Sequence, residues 1–235
     1  AAVSTLVDRI YRDFLNKPDD LSAFSRLDGA MSDTTGTSLV YESGLFSSEE
    51  ENLLGNGALV EVDQELMLVT AANTSTRTLT VSRGYAGTTA ATHADQTNVF
   101  INPTFPRKSV FDAVADNIVR LYPSLYNVTT TNVTANSTYA EVPASTVEIL
   151  TSYVQNASGE QYTSAGIELL RDFPPSTTNT AVQFYNTSTG KTVYLVVKRK
   201  FVRPTSETVD LSTDCLIEDE YEQIVMVGAV ADIVG

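Results

Sequence analysis

Tryptophan is absent from this chain, histidine and cysteine occur once each, and there are only 15 basic residues against 29 acidic ones. Each shortage removes a class of function. A lone Cys215 closes no intrachain disulfide, and a lone His93 leaves no Cys/His set with metal-ligand spacing. The setting expected during synthesis is a reducing cytoplasm. A formal net charge of −14 and a pI near 4.3 leave few cations to meet phosphates, so sequence-specific nucleic-acid binding is not expected. The one basic cluster, Lys198-Arg199-Lys200 with Arg203, reads as a solvated strand edge. No run approaches the ~18 apolar residues of a membrane helix. The N-terminal stretch AAVSTLVDRIYRDFLN carries Asp8 and Asp13 and no basic leader, so it does not read as a signal peptide. A catalytic elbow G-x-S-x-G, an H-E-x-x-H pair, a Walker A loop and a three-glycine dinucleotide fingerprint are all missing.

Serine and threonine, by contrast, fill 52 of the 235 positions. Many alternate with apolar residues in strand-like runs such as RTLTVSR and TVEILTSYVQ, where a β-branched side chain suits a pleated surface. That abundance also accounts for six N-x-S/T triplets, beginning at Asn73, Asn127, Asn132, Asn136, Asn156 and Asn186. They read as composition, not as glycan acceptors.

The fold class expected is α+β, mainly β, in five segments. Residues 1–30 hold an N-terminal helix and a linker. Val3, Leu6, Val7, Ile10, Tyr11 and Phe14 repeat at helical spacing, Lys17-Pro18 ends the run, and Leu21–Leu27 suggests a further helical turn. Residues 31–103 form a small β-domain with strands near 37–42, 58–63, 65–71, 77–83 and 97–101. Ala72–Thr76 is its hairpin loop, and Ser48-Glu49-Glu50-Glu51 has capping-box spacing for one helical turn. Residues 104–124 hold a linking helix, Ser109–Leu121, between Pro106 and Pro123. Its stripe is Val110, Phe111, Val114, Ile118, Val119 and Leu121, serving core packing or an oligomer interface. Residues 125–205 carry about six short strands at sandwich-like spacing. Residues 206–235 end in a helix over 219–234 with Tyr221, Ile224, Val225, Gly228 and Val230 or Ala231 inward, buried or packed on a neighbouring subunit.

The stretch RGYAGTTAATHAD, residues 83–95, holds the only histidine. A catalytic histidine needs a nucleophile or an orienting carboxylate. Asp95, Thr88, Thr89 and Thr92 lie near it in sequence, without forming a recognised catalytic pattern. The simpler reading is a rigid turn, with positive φ at Gly84 and Gly87 and with Arg83 and His93 pinning it by hydrogen bonds. Glu61-Val-Asp-Gln-Glu65 places carboxylates on alternating positions. That is a possible calcium-binding face, though a charged solvent face or turn is the preferred reading. The remaining acidic clusters, Glu49–Glu51 and Glu218–Glu220, read as helix N-termini or solvated faces.

Taken with its neighbours, the same stretch resembles a module of structural proteins in tailed bacteriophages. In that module a hairpin carrying E-x-x-x-E-x-M-x-V leads to R-G-x-x-G-T-x-A-x-x-H and a closing strand. Glu61, Glu65, Met67, Val69, Arg83, Gly84, Gly87, Thr88, Ala90 and His93 match it. This chain departs from the pattern at Ala94-Asp95-Gln96, where the family usually has Ala-Gly. The F-P-R-x-x-x-F-D-A-V helix and the β-rich region after it look like head–tail connector or neck proteins.

The resemblance implies a non-enzymatic virion protein with no cofactor and no metal. It would assemble in the host cytoplasm as a ring, twelvefold or else sixfold. It would join the portal to tail or neck proteins and let DNA pass through an acidic channel without specific binding. Two alternatives stay open. One is a tail-tip, baseplate or fibre-attachment adaptor. The other is a carbohydrate-binding module using Tyr122, Tyr126, Tyr139, Tyr153, Tyr162, Tyr185 and Tyr194 as platforms.

Overall fold

Alternating burial along short Thr-rich strands puts most of the regular structure into antiparallel sheets, 36% strand against 25% helix, and makes the protein α+β, mainly β. The computed structural model describes residues 1–15, 23–134, 139–155, 162–164, 166–173, 175–178, 180–185 and 192–235. Lys17-Pro18 and the glycan-type triplets at Asn136, Asn156 and Asn186 lie outside them. Two compact units emerge, one from residues 2–114 with 223–235, the other from Ala1 with 115–222.

The first unit opens with helix α1 (Val3–Ile10), continued by a π turn over Tyr11–Leu15. Val3, Leu6, Val7 and Ile10 are buried as the periodicity predicts, but Phe14 is exposed and Leu15 takes the inward place. A π turn closes its hydrogen bonds one residue later than an α turn, and that extra residue rotates the stripe. Where a helical turn was expected near Leu27, the chain runs extended as β1 (Ala23–Arg26). Pairing with a later strand outweighs the weak local preference.

Five more strands follow: β2 (Ser38–Val40), β3 (Leu59–Val62), β4 (Glu65–Asn73), β5 (Thr78–Ser82) and β6 (Asn98–Ile101). Their order in the sheet is β1-β6-β3-β4-β5-β2. The two edges meet, because Leu27 bridges Tyr41 and the Asp28 N–H donates to the Val40 carbonyl at 2.9 Å. The sheet thus closes into a small barrel around Leu27, Leu39, Tyr41, Val60, Val62, Met67, Val69, Leu79, Val81, Val99 and Ile101, among others. β4 and β5 pair as far as Asn73 and Thr78, leaving 74–77 as the hairpin loop, shorter and later than expected. A bulge between Val69 and Ala71 shifts the ladder there. The single turn α2 (Ser48–Glu51) is capped one residue earlier than expected: the Glu50 N–H donates to the Ser47 hydroxyl and the Ser47 N–H to the Glu50 carboxylate.

Helix α3 (Arg107–Arg120) starts directly after Pro106, whose carbonyl accepts from the Ser109 and Val110 N–H groups. Val110, Phe111, Val114, Ile118 and Leu121 are buried within the chain together with Ala115, whereas Val119 is 41% exposed and does not belong to the stripe.

The second unit is a sandwich. One sheet has the order β10-β9-β13-β7 and the other β11-β12-β8. The strands are β7 (Asn127–Thr134), β8 (Tyr139–Glu141), β9 (Thr146–Gln155), β10 (Tyr162–Ser164), β11 (Gly166–Arg171), β12 (Thr180–Tyr185) and β13 (Thr192–Arg199). The core lies between the sheets, with Val154, Val193, Leu195 and Val197 from one face and Val182 and Phe184 from the other.

The last helix, α4 (Glu222–Val234), follows one 3₁₀ turn over Asp219–Tyr221. It buries Glu222, Val225, Met226 and Ala229, while Ile224 and Val227 are each 51% exposed. Only Val225 of the expected inward set is fully buried. A helix apolar nearly all round carries no period to select its face, so contact selects it. No described helix is long and apolar enough to cross a membrane.

Candidate functional site

The loop from Arg83 to Asp95 leaves β5 through a left-handed residue, Gly84, at φ 61°, and turns again at Gly87, φ 80°. A Cβ on Gly84 would sit 3.1 Å from the Thr88 carbonyl oxygen, so glycine is needed there for space as well as for φ. Ala86, at φ 52°, takes the same region without glycine's freedom. The Thr88 hydroxyl then staples the turn to β4. It donates to a carbonyl and accepts from the Leu66 N–H at 3.1 Å.

At the centre of the loop lies Glu65, the first residue of β4, with its side chain fully buried. Arg83 forks onto it, Nε to Oε1 at 2.8 Å and Nη2 to Oε2 at 2.7 Å. The Gly84 N–H donates to Oε1 at 2.9 Å and the Ala91 N–H to Oε2 at 3.0 Å. His93 Nε2 lies 2.9 Å from the same Oε2, and its Nδ1 lies 2.8 Å from an oxygen of Asp63. Arg83 also reaches the backbone carbonyls of Asp33, Gly36 and Ala91. The His93 backbone exchanges both hydrogen bonds with Met31. Burial alone would push the Glu65 carboxyl up. The Arg83 fork, the Ala91 and Gly84 amides and His93 outweigh it and bring the group down to about 2.

Arg83, Gly84, Gly87, Thr88 and His93 are therefore gathered into one turn, and Arg83 and His93 do pin it. Two participants, Glu65 as hub and Asp63 as second anchor of the imidazole, were not singled out from sequence as partners of that turn. The readable signal for Glu65 was a carboxylate at the head of the apolar run LMLV, with a single arginine at the far end of the hairpin. Asp95, two residues from His93 in sequence, turns instead to the Gly29 N–H at 2.8 Å.

The solvent-face half of the preferred reading of Glu61-Val-Asp-Gln-Glu65 fails, because Glu61 is 7% and Glu65 1% exposed, while the turn half holds: Asp63 and Gln64 are the exposed two-residue turn between β3 and β4. These carboxylates do not converge as a calcium site would require. Glu65 serves Arg83, Asp63 serves His93, and Glu61 accepts from the Arg107 N–H at 3.1 and 3.2 Å. Among the described residues no group of three metal-ligating side chains is brought together. Glu61, Asp63 and Arg107 border an open cleft of about 370 Å³, where Tyr11 and Phe100 add aromatic wall. The Arg107 guanidinium is held by Asp8 at 2.9 Å.

Chemically the cluster is a lock. General-base work needs a ring nitrogen free to face a substrate, and both nitrogens of His93 face carboxylates. The two contacts are hydrogen bonds together only when each nitrogen carries a proton. The buried Cys215 thiol is pushed up to about 11 by desolvation first and then by Asp214 and Asp210, the opposite of an activated nucleophile. Among the described residues the tyrosines form no single platform, although Tyr153 and Tyr194 are cross-strand partners on β9 and β13. Tyr139 stacks edge-on against Phe173, Tyr126 lies under the Lys198 ammonium at 4.0 Å, and Tyr153 and Tyr185 stand on different sheets; the Tyr162 side chain lies outside the described structure. Asn127, one of the triplet asparagines, is 7% exposed, too buried to accept a glycan. No family model matches the chain, and no curated protein matches it in sequence.

Proposed function

We propose that this chain is a non-enzymatic structural subunit of a tailed-phage virion, assembling as a ring in the neck between portal and tail. The observation that carries the reading is the content of the lock. Glu65, Arg83, Gly84 and His93, four of the residues that match the phage module, are one hydrogen-bonded cluster, and Thr88, a fifth, staples the same turn to the Leu66 backbone. A motif whose polar groups are spent on holding a turn is what a scaffold requires, since every copy in a ring must present the same rigid edge.

Two further features support it. Ile224, Val227 and Val234 form an exposed apolar row along α4, at i, i+3 and i+10, suited to a heterologous subunit contact. The charge of −14 suits a channel wall that does not retain DNA. The test is imaging of virions that carry a labelled subunit, beside sedimentation of the purified protein with and without portal. Label at the neck and closed rings are expected. Label confined to the tail tip, in threes or sixes, would select the tail-tip adaptor. A monodisperse monomer at high concentration, even with portal present, would overturn the ring.

A further inference from the structure

The outer strands of the sandwich's two sheets are β10, β7, β11 and β8, and three of them are blunt. β8 and β10 are three residues each, and β7 carries Asn or Thr at six of its eight positions. Short and polar edges resist pairing with another chain. β11 differs. Its six residues, Gly166–Arg171, pair with β12 in unbroken register and with no strand on the other side among the described residues. The run GIELLR holds neither proline nor lysine. The N–H and C=O groups along its outer side meet no partner within the described chain.

That edge opens onto a slot. A cavity of about 480 Å³ lies between β11 and the facing edge of β9, a strand of the other sheet. Ile167 and Leu169 line it from β11, and Val147, Ile149 and Leu150 line it from β9. Two register shifts leave Val147 and Leu150 of β9 without an opposite residue on β13. Such bulges bend a strand and re-aim the side chains they insert, and Leu150 is 48% exposed. At one end Ser164 of β10 pairs with Tyr153 of β9. At the other the Arg171 guanidinium donates across to the Val147 carbonyl. Between these closures β11 offers a bare ladder and β9 an apolar wall.

We infer that the slot receives an extended segment of a partner protein, which adds a strand to β11. Its apolar side chains turn inward onto Ile149 and Leu150, and a basic side chain stands outward opposite Glu168. In strand addition the backbone ladder supplies affinity and the alternate side chains supply selectivity. Six residues at ~3.3 Å each present ~20 Å of edge, the length of an ordinary strand. Charge selects the partner. Ile167 and Leu169 pack on the core, so Glu168 lies on the outer face, where one oxygen accepts from the Tyr185 hydroxyl. Glu148 lines the slot from β9, and no Lys or Arg is among the described lining residues. A second copy of β11 paired about Glu168 would set two carboxylates directly opposite each other, which is unfavourable, whereas a lysine or arginine there is favoured. The slot is independent of the ring reading.

The test titrates a fluorescein-labelled basic peptide, KVTVKVT, onto the full chain by anisotropy and follows amide hydrogen exchange along β11. Saturable binding is expected, with slower exchange at Gly166–Arg171. The acidic counterpart EVTVEVT should bind at least about fivefold more weakly. Leu150→Lys changes an exposed position, so the melting temperature should hold while KVTVKVT binding falls at least about tenfold. Glu168→Gln should weaken binding about twofold. No saturable binding by ~1 mM peptide overturns the slot. So does binding that leaves exchange along β11 unchanged or survives Leu150→Lys. EVTVEVT binding as well as KVTVKVT overturns the basic partner. Self-association in sedimentation that Leu150→Lys abolishes, with no peptide bound, assigns the slot to a second copy and overturns the foreign segment.

Discussion

The barrel and the sandwich each place one charged side chain at the end of a core-facing row, and they treat it differently. In the barrel, Glu65 receives the Arg83 fork, two backbone N–H groups and an imidazole, and its side chain is sealed from solvent. In the sandwich, Arg199 receives one hydroxyl, with two orphaned polar atoms beside it in the ladder. A buried charge is tolerated when enough opposite charge and hydrogen bonds surround it. The first arrangement is complete within the chain and rigid. The second leaves Arg199 half-buried with one hydrogen bond, and this difference separates a rigid lock from a sparsely held charge.

The largest effect should come from opening the lock. Glu65→Ala leaves Arg83 and His93 buried without their shared partner, and breaking a buried pair in this way costs about 3–5 kcal/mol. Thermal unfolding followed by tyrosine fluorescence should show the barrel melting far below the wild type. A fall of only a degree or two would mean that the loop is held by Thr88 and the backbone alone. Phe111→Ala, which empties a buried position of α3, is expected to cost a similar ~3–5 kcal/mol. If Phe111 instead serves assembly, the melt will stay unchanged and ring formation will fail, which sedimentation reports.

Acid should act on the barrel through Glu65. Its carboxyl sits at about 2 in the folded chain against an ordinary 4.5. A depressed folded value means that stability is fully present above 4.5 and is lost as pH falls from there towards 2. The contribution is about 3 kcal/mol. Melting curves between pH 6 and pH 2 should show that loss in the wild type and not in Glu65→Gln. An identical acid profile in both would assign acid sensitivity to other carboxylates.

Smaller effects sharpen the contrast. Thr88→Val removes the hydroxyl that accepts from Leu66 N–H and should cost about 1 kcal/mol. Arg199→Leu, without added carboxylate, should leave the melting temperature of the sandwich unchanged or slightly raised, because no acid loses its partner. A large loss there would show that Arg199 is structural after all.

Much was determined locally. Thr-rich alternation marked most of the strands, since side chains on a strand switch faces at every residue. The glycines of RGYAGTT marked the turn, since Gly84 and Gly87 take φ values costly for other residues. The stripe of α3 was likewise legible apart from Val119, because periodicity is a one-dimensional property of the chain, although the helix starts at Arg107, two residues before the expected Ser109. Three other features were not. β1 is extended only because β6 offers it a ladder. The inward face of α4 was chosen by packing, since its composition favours no side. And Glu65, although one of the residues that match the module, carries no mark in the sequence of its role as hub. Only closure of the hairpin, which sets Arg83 and His93 against it across intervals of 18 and 28 residues, makes it the centre of the lock. Propensity acts between neighbours in the chain, whereas desolvation and charge pairing act between neighbours in space, and spatial neighbours exist only once the barrel has closed.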